Sequence, residues 1–277
     1  MKSLPTNCIL NKGMTGCGAT SLAIEQEGCT ILAVPFVGLI QNKQMKYKDN
    51  LCGIYGEGDK TNEVAAYLEN HPTYKIAVTY DSLPKLVQTL ISLGRNPYHE
   101  AFLAIDEWHI LCRDYSFRYD AIRGLLDEAI QFDKVTYISA TPMERKYWLD
   151  ELRSMDEVVI EWPNAEKPIT TTCETDNPLV FMANACRDRI HNGGDSNYHI
   201  FLNSIEDINK IIIGAEVLTP ENTKIVCSTS SDEELLPGFP VGSAGDAAKL
   251  INFYTSTCFE GQDILDEDGE SIIVSDG

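Results

Sequence analysis

Three short stretches carry residue types whose spacing suits phosphate chemistry. The first is Gly13-Met14-Thr15-Gly16-Cys17-Gly18-Ala19-Thr20. It fits the phosphate-loop pattern G-x-x-x-x-G-[K]-[ST], with Ala19 standing where the lysine belongs. Glycines let successive backbone N–H groups turn inward around phosphate oxygens, and the start of the following helix adds positive potential. Thr20 offers a hydroxyl to Mg2+. On spacing alone, a glycine-rich turn between a strand and a helix accounts for the same residues.

The second stretch is Ala104-Ile105-Asp106-Glu107-Trp108-His109, at the end of an apolar run. Adjacent acids at the C-terminal edge of a strand can divide labour, Asp106 holding the shell of a Mg2+ ion and Glu107 positioning or deprotonating the attacking water. Read singly, the pair is also a solvated loop, and His109 an ordinary packed or exposed histidine. The third stretch is Tyr137-Ile138-Ser139-Ala140-Thr141-Pro142. Ser139, Ala140 and Thr141 suit a hydrogen-bond relay, or an ordinary turn. Their order separates these readings: a phosphate loop, an acidic strand end and a Ser-Ala-Thr, each after an apolar run, seldom arise together by chance.

The elements that must position them follow from periodicity. The first half alternates short apolar runs with amphipathic stretches, the signature of a parallel sheet covered by helices in an α/β fold. Strands are expected at residues 7–12, 29–35, 75–80, 101–106 and 134–140, with a further one at 157–162. Helices are expected at 18–27, 62–70, 81–93, 119–132 and 143–155. Two prolines, Pro163 and Pro168, bracket a polar stretch and predict a boundary, giving domains 1–165 and 166–277. The second domain reads as strand 199–204, helix 205–214, strand 224–230, short helix 246–252, strand 253–258 and strand 271–275.

Composition is that of a globular protein, 43% hydrophobic and 23% charged. The formal net charge is −20, from 22 Lys and Arg against 42 Asp and Glu. Residues 1–165 carry −6 and residues 166–277 carry −14. Contact with nucleic acid must therefore come from a local groove and not from a global field. The nine cysteines show no Cys-x-x-Cys and no zinc-ligand spacing, so they read as reduced thiols. The longest apolar run, 29–40, contains Pro35 and Gly38 and is too short to span a membrane. These features predict a cytoplasmic protein, in a host cell's cytoplasm if it is viral, with no membrane partner.

Taken in order, these motifs resemble superfamily 2 helicases and translocases of the DExH type, which are P-loop NTPases. Gly13–Thr20 resembles motif I, Asp106-Glu107-Trp108-His109 motif II, and Ser139-Ala140-Thr141 motif III. Val34-Pro35 and Thr79-Tyr80-Asp81-Ser82-Leu83 stand at motifs Ia and Ib. His199-Ile200-Phe201-Leu202-Asn203-Ser204 resembles motif IV, and the stretch from Tyr254 to Asp263 resembles motif V. The resemblance implies two RecA-like lobes with ATP and Mg2+ in the cleft and single-stranded DNA or RNA across both. Gly13, Gly16, Gly18, Ala19, Thr20, Gly261 and Asp263 would then surround the nucleotide, with Thr20 and Asp106 on the metal. Asp106, Glu107 and His109 would be catalytic, and Ser139, Ala140 and Thr141 would couple the lobes. Thr79, Asn203, Ser204, Thr255 and Ser256 would line the nucleic acid. Many relatives serve replication, which makes replication proteins candidate partners.

Two departures matter. The methyl of Ala19 cannot bridge phosphates as the motif I lysine does. Lys12 is the nearest substitute, although a lysine at the end of a strand reads first as a surface residue. After motif V no Gln-x-x-Gly-Arg-x-x-Arg appears, and residues 264–277 contain no arginine. The second lobe is accordingly expected to be incomplete, its arginines supplied by a missing C-terminal segment or a partner. The leading expectation is an ATP-dependent helicase or translocase core. The runner-up is a nucleotide-binding regulatory or scaffold module without turnover, and a metabolic P-loop enzyme such as a kinase stands third.

Overall fold

The computed structural model describes residues 2–56, 58–163, 171–227, 236, 238–243, 245–256, 264, 266 and 269–275. The chain divides into two compact units, Met1–Lys167 and Pro168–Gly277.

The first unit runs β1 (Cys8–Asn11), α1 (Ala19–Glu25), β2 (Cys29–Val34), α2 (Val37–Tyr47), β3 (Cys52–Ile54), α3 (Thr61–Asn70), β4 (Lys75–Thr79), α4 (Leu83–Ser92), α5 (Pro97–Glu100), β5 (Ala101–Asp106), α6 (His109–Asp114), α7 (Tyr119–Ala129), β6 (Lys134–Ser139), α8 (Asp150–Arg153) and β7 (Asp156–Val159). Its seven strands form one sheet in the order β3-β4-β2-β5-β6-β1-β7. Every pair in it is parallel. A parallel sheet is covered on both faces, so its central strands are apolar along their whole length. β2 and β5 are accordingly buried at every residue.

Side chains alternate between two cores, as the two-residue period of a strand requires. Ile9, Ile31, Ala33, Leu103, Ile105 and Tyr137 point to one face, where the Leu83, Leu86, Val87 and Leu90 stripe of α4 and the Ile122, Leu125, Leu126 and Ala129 stripe of α7 cover them. Leu10, Leu32, Val34, Ala104 and Ile138 point to the other, beneath Ala19, Ala23 and Ile24 of α1 and Leu39 and Ile40 of α2. The i, i+3, i+4, i+7 spacing of both stripes is what makes α4 and α7 helices with one dry side.

The second unit contains α9 (Pro178–Asn192), β8 (Tyr198–Phe201), α10 (Ile205–Ala215), β9 (Thr223–Val226), β10 (Ile251–Tyr254) and β11 (Glu270–Ile273). Its four strands lie in the order β11-β8-β10-β9, again all parallel. Met182, Ala183 and Cys186 of α9 and Ile208, Ile211, Ile212 and Ala215 of α10 pack on Ile200, Ile225, Ile251 and Phe253. Both units are α/β, as the alternation of elements predicts. No helix among the described residues is long and apolar enough to cross a membrane.

Two expected helices are not found. Residues 143–155 hold only a 3-10 turn at Arg145–Tyr147 and the short α8. The backbone is extended at Trp148 and Leu149 because Trp148 is drawn into the core. There its ring meets Trp108 edge-on at 5.0 Å and its N–H donates to the Met143 carbonyl at 2.8 Å. Residues 246–252 also form no helix. Asn252 belongs to β10, fully buried, with its amide donating to the carbonyls of Tyr198 and Lys249.

Candidate active site

In a parallel sheet every strand ends on the same edge, where ligands collect. The neighbours β5, β6 and β1 deliver the three motif stretches to that edge. From β1 the chain passes Lys12 into the glycine loop, where Gly13, Gly16 and Gly18 all take positive φ, 67°, 68° and 87°. A side chain would strain each of them. At Gly13 a Cβ would also lie 2.5 Å from the Ile160 carbonyl oxygen. The Asn11 side chain accepts from the Gly13 N–H at 3.0 Å, and the Trp162 indole N–H donates to the Lys12 carbonyl at 2.8 Å. Both pin the entrance of the loop.

Lys12 is not a surface lysine. It is 6% exposed. Its ammonium lies 3.1 Å from Glu107 Oε1 and 3.4 Å from Asp106 Oδ1. The other oxygen of Asp106 accepts from the Thr20 hydroxyl at 2.7 Å. Ala19, the first residue of α1, is buried and brings no charge. The ammonium beside the acid pair comes from the end of the loop opposite Thr20.

Burial by itself would pull the Lys12 ammonium below its ordinary pKa. The Asp106 and Glu107 carboxylates outweigh burial and hold it above that value. Burial first, and then the charge of Asp106, push Glu107 upward against the opposing pull of Lys12 and His109. Glu107 also sits in the left-handed region at φ 55°. For a residue with a Cβ this conformation costs roughly 1–3 kcal/mol, and such strain concentrates at functional sites. The bend turns its carboxylate back toward both Lys12 and His109.

His109 opens α6 and places Nδ1 2.9 Å from Ser139 Oγ and 3.4 Å from Glu107 Oε2. Ser139 is fully buried, and its Oγ also accepts from the Thr141 N–H at 3.0 Å. Ala140 is half-buried and Thr141 exposed. Thr20, Asp106, Glu107, His109, Ser139 and Lys12 therefore form one connected polar cluster. Its donors fit a hard divalent cation: the Thr20 hydroxyl and Asp106 carboxylate are oxygen ligands side by side, and two carboxylates against one ammonium leave negative charge over.

The expected nucleic-acid residues are more scattered. Thr79 is buried and donates to Ser82 Oγ at 3.0 Å. In the second unit Ser204 caps α10, accepting from the Asp207 N–H at 3.2 Å. Asn203 is exposed and accepts from the Ser256 N–H at 3.0 Å, which brings those two together, while Thr255 is buried. Gly261 and Asp263, with the rest of the motif V stretch after Ser256, lie outside the described residues.

Sequence reasoning missed Asn11 and Trp162, whose contacts depend on a loop geometry that no spacing announces. It passed over Tyr80, whose hydroxyl donates to the Asp106 main-chain carbonyl. Tyr80 stands inside the quoted motif Ib stretch, so its position was visible although its role was not.

No protein-family model matches the chain, and no curated protein does. Solved structures do. The structure of Mss116p (NTE and C-tail double deletion) bound to ssRNA and AMP-PNP is similar over 99% of this chain and 61% of that one, with TM-score 0.60 and 14% identity. A Dbp5 variant of S. cerevisiae bound to a Gle1 variant is similar over 94% of this chain and 67% of that one, with TM-score 0.60 and 14% identity. The Mycobacterium smegmatis helicase Lhr, bound to ssDNA and AMP-PNP, covers 93% of this chain with TM-score 0.53 and 15% identity, this chain spanning 39% of it. The fold is that of RecA-like helicase lobes. The chain spans about three fifths of the Mss116p structure.

Proposed function

We propose that the first unit binds Mg-ATP at the edge formed by β1, β5 and β6, and that the chain is the core of a DExH-like helicase or translocase acting on single-stranded DNA or RNA. The observation that carries this reading is the convergence of Lys12, Thr20, Asp106, Glu107, His109 and Ser139 at one end of a helicase-like sheet. The helicase structures it resembles, two of them bound to AMP-PNP and a single strand, supply the class of substrate.

In this reading Gly13, Gly16 and Gly18 shape a backbone cradle for the phosphates, and Lys12 supplies the cation that Ala19 lacks. Thr20 and Asp106 would hold Mg2+, which neutralises charge on the phosphate oxygens. Glu107 orients a water molecule on the γ-phosphorus. As the water oxygen bonds to phosphorus, its proton passes to Glu107 and the bond from the γ-phosphorus to the bridging oxygen breaks, leaving ADP with the electron pair. A carboxyl whose pKa is raised by burial is a better proton acceptor than an exposed one. His109, held by Ser139, steadies Glu107 from its other side.

A second reading keeps binding without turnover, as a regulatory or scaffold module. It is favoured by Ala19, which leaves no lysine at its usual place in the loop, and by the pairing of Lys12 with both acids. Steady-state phosphate release with and without a single-stranded oligonucleotide separates the two. Release that Glu107→Gln abolishes supports the motor. Tight nucleotide binding with no release supports the module, and release that survives Glu107→Gln contradicts the site itself.

A further inference from the structure

Position 189 falls on the buried stripe of α9. Met182, Ala183 and Cys186 precede it at the spacing of one helix face, and an apolar residue belongs at the next step. Arg189 stands there instead, 8% exposed. Its guanidinium lies 5.4 Å from the centre of the Tyr198 ring, at the start of β8. Asn203 and Ser204 follow the opposite end of that strand.

The charge of Arg189 is incompletely met. Nη1 donates to the Gly193 carbonyl at 3.4 Å, a long contact. Nε and Nη2 are buried and find no hydrogen-bond partner among the described residues. These two nitrogens form one edge of the guanidinium, which offers parallel N–H bonds to two oxygens of a carboxylate or phosphate. A buried cation without a counterion is costly to a fold, more so than any neutral group left unpaired. The face of the Tyr198 ring offsets part of that cost and satisfies neither N–H. Over the arginine lies a turn with two glycines. Gly193, Gly194 and Asp195 are exposed, and a Cβ on Gly194 would collide with Nη1. Only glycine lets the backbone close this far over the guanidinium, and its freedom also lets the turn lift.

We infer that Arg189 anchors an oxyanion site in the second unit, its Nε and Nη2 taking two oxygens of a carboxylate or phosphate group that enters as the Gly193–Gly194 turn lifts. The site lies within one unit, at the end of β8 away from Asn203 and Ser204, and does not depend on the nucleotide reading. Residues 166–277 carry a net charge of −14, so no general field draws anions here. An anion held at this place is held by the fork of Arg189.

The test uses the whole chain with inorganic phosphate and succinate as probes and chloride at matched ionic strength as the control. Heteronuclear NMR follows the side-chain Nε–H resonance of Arg189, identified by its loss in Arg189→Met. That resonance reports this site and not the glycine loop of the first unit. A saturable shift with phosphate alone names a phosphate ligand, one with succinate alone names a carboxylate, and one with both names the shared oxyanion chemistry. No shift with either overturns the inference. Thermal melting gives a second readout. Arg189→Met should melt above wild type in chloride, because it removes an uncompensated charge and restores the apolar stripe, and should lose the added stabilisation that the effective oxyanion gives wild type. Arg189→Lys, which keeps the charge without the fork, should bind that oxyanion at least about tenfold more weakly. Arg189→Met melting below wild type in chloride would show the charge to be compensated already. That result, or equal oxyanion stabilisation of wild type and Arg189→Met, overturns the inference. If Arg189→Met does not fold, Arg189→Lys identifies the resonance and the wild-type titration decides.

Discussion

Lys12 and Thr20 flank the same carboxylate: the Lys12 ammonium lies 3.4 Å from Asp106 Oδ1 and the Thr20 hydroxyl 2.7 Å from Oδ2. The two residues stand at opposite ends of the glycine loop, so Asp106 bridges the two ends. Under the proposed function, the positive charge that position 19 lacks is supplied by Lys12 at the head of the loop. Removing Lys12 would strand the Asp106 charge in this buried pair, at a cost of about 3–5 kcal/mol.

In the proposed mechanism Glu107 sets a conflict between stability and function. Its folded-state pKa is raised, so the folded protein holds that proton more tightly than the unfolded chain does. Ionising it costs stability, and the cost grows as pH rises from the ordinary glutamate value near ~4.3 through the raised folded value. Glu107→Gln removes the cost above that window. Thermal unfolding followed by circular dichroism should show a melting temperature a few degrees above wild type at neutral pH, at about 2–4 °C per kcal/mol, with the gap closing toward pH ~5. A variant that melts below wild type at neutral pH would show that pairing with Lys12 outweighs burial.

In the proposed mechanism Ser139 acts on the chemistry through His109. Ser139→Ala removes the 2.9 Å contact that fixes the ring and the cap on the Thr141 N–H. Phosphate release should fall by roughly tenfold, less than the ~10²–10⁴ that a proton-transfer group itself contributes because Ser139 only positions one, while calorimetric affinity for AMP-PNP stays unchanged. An equal loss in both measurements would instead place Ser139 among the binding residues.

Cys17 stands where nucleotide in the proposed loop would cover it. It is partly exposed between two glycines of positive φ, whereas Cys173 in the second unit is exposed. Mg-ATP should slow N-ethylmaleimide labelling of Cys17, read by peptide mass spectrometry, and leave Cys173 unaffected. Equal labelling rates at Cys17 with and without nucleotide would place the ligand elsewhere.

Much of the fold was legible because its signals are periodic. β5 runs over the residues that its apolar run marks, and α4, α7 and α10 show their stripes in the sequence. α9 was overlooked despite clear punctuation: Pro178 at its first turn, and Asn177 accepting from the Val180 N–H at 3.2 Å as a cap. β3 has three residues, too few for any period to appear. α2 has no counterpart among the expected elements: its first residues close the 29–40 apolar run, where Pro35 and Gly38 suggest a break, yet the proline only precedes the helix. At the site, the order of motifs located the acid pair and the loop. The burial of Lys12 was not legible, since strand-end lysines are usually solvated and nothing in its neighbours announces two carboxylates from a strand 94 residues away.

The most direct test of the account is calorimetric titration of Mg-AMP-PNP into four proteins: the wild type, Lys12→Ala, Ala19→Lys and the double variant. Circular dichroism must first show each to be folded. If Lys12 supplies the phosphate cation, Lys12→Ala should weaken binding about 30- to 150-fold, the worth of roughly 2–3 kcal/mol of charge-assisted hydrogen bonding. Ala19→Lys alone should change affinity by less than about threefold, and the double variant, with its cation moved along the loop, should recover most of the loss. Wild-type affinity in a folded Lys12→Ala, or a folded wild type giving no heat at millimolar ligand, would contradict the account.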